Sequence, residues 1–170
     1  NLRTSRDGAD LIVDLPPAPP DEVASVVALT LDGAPLVEPY VIRPDDKGVI
    51  RLGVESAEIE TRFEQRAKKE NALGHVFLTR WTRGDDVPTW KFSVPKAGRY
   101  QVEVSYGATR GAAGLEYTVS AGKAQLAAKS LNTDGEWAFR QFPLGEMRLD
   151  AGGQTLQVKV ATKGSPAMSL

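Results

Sequence analysis

Few side chains in this sequence could do covalent chemistry. The 170-residue chain holds one histidine and no cysteine. A Ser-His-Asp triad would have to use His75, and no Gly-x-Ser-x-Gly elbow is present to present a serine. One histidine is also too few for a histidine zinc site, and thiolate chemistry is excluded outright. The glycine-rich run 107–114, GATRGAAG, lacks the Lys-Ser/Thr ending with which a phosphate loop holds its nucleotide. Carboxylates remain. Asp85 and Asp86 are adjacent, ahead of a strand pattern, and neighbours on a strand point to opposite faces. They do not flank one glycosidic bond, and a solvated turn accounts for them. Glu55 and Glu58 are candidate oxygen ligands for calcium, with exposed turn or strand charge as the alternative.

The aromatic residues offer binding rather than catalysis. Trp81 lies in LTRWTRGDD beside Arg80 and Arg83. An indole in polar surroundings can pack on the C–H face of a pyranose while Arg80, Asp85 and Asp86 bond its hydroxyls. The same indole could instead plug one end of a core. Trp90 alternates in phase with Phe92 and reads as core. Trp137, in NTDGEWAFRQF, follows a turn and starts a strand; core or edge packing is its first reading and ligand contact the second. Tyr106 ends a strand beside the flexible 107–114 run, where its hydroxyl could reach a ligand. A net charge of −1 argues against nucleic acid or an anionic membrane as partner. No apolar run is long enough to cross a bilayer.

These residues sit on a chain patterned as β throughout. Residues 11–15 alternate as a strand, and a proline cluster at 16–20 forces a stiff loop. Residues 23–31 are rich in β-branched side chains before an Asp32-Gly33 turn signal. A lone hairpin is marginal in water, so residues 1–38 are expected to be the terminal piece of another sheet. Residues 39–48 read as a linker. The spacing then predicts strands at 49–54 and 57–63, a loop or helical turn at 64–72, and strands at 87–94, 100–106, 115–119, 124–129, 137–142, 144–149 and 156–160. Short strands at even spacing with Gly and Pro turns indicate an all-β, antiparallel sandwich or jelly roll. The closing AMSL has the pattern of a strand start, which suggests a portion of a larger protein.

Four phrases in order, 85–107 (DDVPTWKFSVPKAGRYQVEVSYG), 114–126 (GLEYTVSAGKAQL), 133–142 (TDGEWAFRQF) and 146–160 (EMRLDAGGQTLQVKV), resemble carbohydrate-binding modules of families 6 and 35. The resemblance covers about residues 49–170 and implies a galactose-binding-like jelly roll, with a glycan, fucose- or galactose-containing, as partner. Residues 7–33, DGADLIVDLPPAPPDEVASVVALTLDG, look like the end of the β-sandwich that follows the catalytic barrel in family 29 α-L-fucosidases. The implied parent is a secreted or periplasmic glycoside hydrolase whose catalytic domain is a further partner and is absent from this chain. What the resemblance implies here is a non-catalytic carbohydrate-binding region, with a purely packing module as the alternative; the latter expects Trp81 to be buried. The family's calcium site implies a glutamate near the first strand, a role for Glu55 or Glu58, and an aspartate near the last that the ending SPAMSL does not supply.

Overall fold

The computed structural model describes residues 2–8, 10–21, 23–35, 40–62, 66–72, 74–161 and 168–170. The chain divides into two units, Asn1–Glu38 and Pro39–Leu170. In the first, β1 (Arg3–Asp7) and β2 (Asp10–Asp14) pair antiparallel from Arg3↔Asp14 to Asp7↔Asp10, with Gly8 at φ 59° at the reversal. The strand expected near 11–15 is therefore present. The one expected at 23–31 is not: the described residues from 23 to 35 form no strand. The Asp21 carboxylate takes the N–H groups of Val23 and Ala24 at 2.8 and 3.1 Å, a local turn that competes with a ladder. Val23 and Val26 stay exposed, since β-branched residues favour a strand only where neighbours cover them.

The second unit is a sandwich of two antiparallel sheets. Its strands are β3 (Glu58–Glu60), β4 (Lys68–Ala72), β5 (His75–Thr79), β6 (Val87–Val94), β7 (Gly98–Ala108), β8 (Glu116–Ala121), β9 (Ala124–Lys129), β10 (Gly135–Leu149) and β11 (Gly152–Val160). One sheet has the order β3-β6-β11-β8-β9. The other is assembled from two hairpin pairs, β4-β5 and β7-β10, joined through the last described residues. Ser169 exchanges both backbone bonds with Gly107, and Leu170 does the same with Leu78, at 2.9–3.3 Å. Met168–Leu170 is thus a short strand between β5 and β7.

Inward residues of both sheets build one core. Trp90, Phe92 and Val94 of β6 and Leu156, Val158 and Val160 of β11 face Leu78, Tyr106, Met147 and Leu149. Strict alternation in β6, β7 and β11 is what makes those strands readable from sequence.

Several expectations are corrected. Residues 49–54 are not a strand; they run irregularly into a 3₁₀ turn at Val54–Ser56. The region expected as loop or helix contains β4, whose residues bond β5 from Lys68↔Thr79 to Ala72↔His75; pairing overrides the helical preference of its lysines and glutamate. The rest of that region falls partly on residues 64–65, outside the described residues, as does residue 63 at the end of the strand expected at 57–63, of which Glu58–Glu60 is observed. The two strands expected at 137–149 are one long strand, with irregular register between Gly135 and Arg140 and at Pro143/Gly145. The stretch read as a linker contains Ile42, buried in the core and bonded to Lys91 and Ser93 beside β6.

Two predictions follow from this packing. Gly107 lies where an added methyl would meet the Glu136 carbonyl oxygen inside van der Waals contact. Gly107→Ala should cost about 1–3 kcal/mol by overpacking, read as a lower urea midpoint with unchanged slope. Burial, with Tyr106 close by, pushes the Tyr117 phenol up to about 12. The unfolded chain ionises tyrosine near pH ~10, so it loses the proton first. Stability should fall as pH rises from about 10 to about 12 and then level. Urea midpoints across that range should show the fall, and Tyr117→Phe should flatten it.

Candidate functional site

Trp81 was the strongest sequence candidate for a sugar platform, and the structure puts it in the core with no exposed surface. The cause is local. Arg80 takes a left-handed backbone, φ 54°, which breaks the alternation of β5 and turns the next side chain inward. The indole N–H then donates to the Asp86 carbonyl at 2.8 Å. Asp86 is equally buried, and its Oδ2 accepts the N–H groups of Arg66 and Ala67, both at 2.8 Å. Asp86 is a loop staple, not a sugar-hydroxyl partner. Asp85 is held in a two-pronged pair with Arg83, at 2.8 and 2.9 Å, which keeps its carboxyl below the usual aspartate range. Arg80 remains exposed and pairs with Glu70 at 3.5 Å. With Trp81 buried, the loop presents no indole face to solvent.

Tyr106 is also internal. Its ring stacks on Phe142 with centroids 4.6 Å apart, and its hydroxyl accepts the Leu131 N–H at 2.9 Å. It holds the 130–134 loop, where Thr133 bonds Ala108, rather than facing a ligand.

Trp137 is the tryptophan the fold leaves accessible, at 43% exposure against 3% for Trp90 and none for Trp81. It stands edge-on to Phe77 at 5.4 Å, and Phe77 stacks on Phe139 at 4.6 Å with the His75 ring 6.1 Å away. Phe77 alternates with the buried Leu78, so this cluster lies on the outer face of its sheet. Phe77 and Phe139 were not among the sequence candidates. Their signal was present in part: Phe139 sits two residues from Trp137 on the same strand face. The link from Phe77 to that face is tertiary and has no sequence signature.

The cluster borders a cleft of about 880 Å³ that opens beside β5 and β7. Gln101 and Glu103, on the outer face of β7, line it too, each tied by a hydrogen bond to a β10 side chain, Glu146 and Gln141 respectively. Aromatic faces with amide and carboxylate groups in one cleft suit a polyhydroxylated ligand with an apolar side. Glu58 is bonded to Lys91 at 3.1 Å, and among the described residues no three Asp, Glu, His or Cys side chains converge.

Acrylamide should therefore quench one class of emission only. The accessible fraction should vanish in Trp137→Phe and persist in Trp81→Phe. Asp86→Ala should cost about 2–4 kcal/mol, since it removes a buried oxygen that accepts two N–H groups, and the emission of Trp81 should shift red with it.

No family model and no curated protein matches this chain. Solved structures do. The chain is similar to a family 35 carbohydrate-binding module from Clostridium thermocellum, with TM-score 0.56, 20% identity, and 69% of this chain and 91% of that one covered. A β-1,3-glucan-binding family 6 module from Bacillus halodurans gives TM-score 0.55 and 15% identity, over 76% of this chain and 94% of that one. An exo-β-1,3-galactanase from Phanerochaete chrysosporium gives 0.55 and 13% over 72% of this chain but 29% of its own. At these identities the likeness is one of fold: the chain carries the antiparallel β-sandwich found in family 6 and family 35 carbohydrate-binding modules.

Proposed function

We propose that the Pro39–Leu170 unit binds carbohydrate without catalysing its cleavage, and that its platform is Trp137 with Phe77 and Phe139. One observation carries this reading. A tryptophan with nearly half its surface open packs edge-on against Phe77, itself stacked on Phe139, at the border of a cleft that also presents Gln101 and Glu103. A pre-set aromatic ring spends little conformational entropy on contact, and amide and carboxylate groups can bond equatorial hydroxyls. The solved neighbours support the reading, since several are carbohydrate-binding modules. The finer reading also belongs to this proposal. The 7–33 phrase supports an α-L-fucosidase-like parent, exported from the cell, with this unit targeting or supporting its catalytic domain.

A second reading is favoured by Trp81. Its burial is what a packing module without glycan affinity predicts. The two readings separate in one experiment. Titration with fucose, galactose, β-1,3-glucan and β-1,3-galactan oligosaccharides, followed by tryptophan fluorescence, should saturate for at least one sugar. Trp137→Ala should weaken that binding at least about tenfold while circular dichroism is unchanged, a loss of roughly 1.4 kcal/mol or more. A flat response to every sugar would leave the packing module.

A further inference from the structure

The aromatic platform has a construction of its own, independent of what it binds. The register of β10 on β7 runs Gly135↔Ala108 and then Arg140↔Tyr106. Glu136–Phe139 of β10 therefore stand against a single residue of β7, Gly107. One extra residue makes an ordinary bulge, and a longer surplus makes an arch. The arch leans across its neighbour. β7 and Met168–Leu170 lie between β10 and β5. Three strand spacings, about 14 Å, would separate β10 from β5 in a regular sheet. Yet the Phe139 ring stacks on Phe77 of β5 with centroids 4.6 Å apart, and Trp137 meets the same ring at 5.4 Å. The arch, folded over the outer face of β7, bridges that distance. Gly107 permits the fold, because a methyl there would run into the Glu136 carbonyl.

The two feet of the arch are tied to each other. Arg140 donates from Nη2 to the Asp134 carboxylate at 3.1 Å. Asp134 is held in turn by Asn132, whose side-chain amide donates to Oδ1 at 2.9 Å and accepts the Asp134 N–H at 3.1 Å. The Asp134 backbone is left-handed, φ 72°, a conformation that a short polar side chain with local bonds tolerates. Next to it Thr133 is buried, and its hydroxyl oxygen accepts the Ala108 N–H at 2.8 Å, which fixes this foot to β7. Backbone pairing at Gly135 and Arg140 sets where the arch begins and ends. It does not set how the residues between them lean, since Glu136–Phe139 have no ladder partner on β7.

We propose that Asp134 and Arg140 are positioning residues for the aromatic platform. Their ion pair draws the feet of the arch together and fixes the lean that sets Trp137 and Phe139 against Phe77. The pair is exposed, so its contribution is modest and salt screens it. A platform set in this way holds even an uncharged ligand less firmly as ionic strength rises. The consequence for ligand affinity rests on the carbohydrate reading above; the consequence for the arch does not.

The test uses the full chain and two variants that each remove one charge with little change of shape, Asp134→Asn and Arg140→Gln. Acrylamide quenching reads the arch without any ligand, because Trp137 is the accessible tryptophan. At low salt, quenching should be faster in both variants than in the parent. The parent should reach the variants' rate at about 1 M salt, where the screening length is about 3 Å. The double variant should quench no faster than either single one, the mark of two groups acting as a pair. Binding of neutral β-1,3-gluco- or β-1,3-galacto-oligosaccharides should weaken about threefold to fivefold in each variant, and that gap should close at the same salt. Arg140→Lys, which keeps the charge, should recover most of the loss. Equal quenching of parent and variants at low salt would overturn the proposal. So would a gap that persists at about 1 M salt, since the substitutions would then act through shape rather than charge. If neither oligosaccharide binds, the carbohydrate reading fails by itself, and the quenching comparison still decides the role of the ion pair.

Discussion

Three residues hold the second sheet of the Pro39–Leu170 unit together. Met168–Leu170 supplies the backbone bonds that tie the β4–β5 hairpin to β7 and β10. Without them the hairpin would be an isolated pair, and two-stranded pairs are marginal in water. Side-chain burial reinforces the link: Met168 and Leu78 are both core residues. The position of Phe77 follows from this pairing, and with it the aromatic cluster. A surface feature that could meet a ligand is therefore set by a backbone contact made on another strand.

The 80–86 loop shows how buried polarity shapes the same end of the molecule. A fully buried carboxylate is costly unless its oxygens find donors. Asp86 finds two, the N–H groups of Arg66 and Ala67 just before β4 begins, both on Oδ2, while Oδ1 is buried with no partner among the described residues. Its carbonyl takes the Trp81 indole. One residue thus fixes the approach to β4, the exit from β5 and the position of a large core side chain. The neighbouring Arg83–Asp85 pair is more exposed and contributes little beyond local order.

The strands with strict alternation were legible in the sequence, and so was the sandwich class. β6, β7, β8, β9 and β11 all lie where period-two patterning puts them. Where reading failed, local signals were opposed by long-range ones. Lys68–Ala72 looks helical and is a strand because β5 pairs with it. Residues 49–54 look like a strand but pair with no strand among the described residues. The site failed at one dihedral. Arg80 at φ 54° inverts the side on which Trp81 falls, and nothing in LTRWTRGDD announces a left-handed arginine. Trp137 was visible as an aromatic after a turn, but its edge contact with Phe77, and the stacking of Phe77 on Phe139, are tertiary and only the folded sheet reveals them.

The cleft beside this cluster joins two demands that are usually kept apart. A sandwich must cover its inner face, and Val76, Val102 and Val104 are not fully covered. A ligand platform must stay open, and Trp137 is open. The alternation of a strand resolves the conflict, because residues one apart answer to opposite faces. On β5, Val76 serves the core and Phe77 the outer surface. Core packing and the aromatic surface can therefore vary independently, since the residues responsible interleave along the same strands but point away from each other.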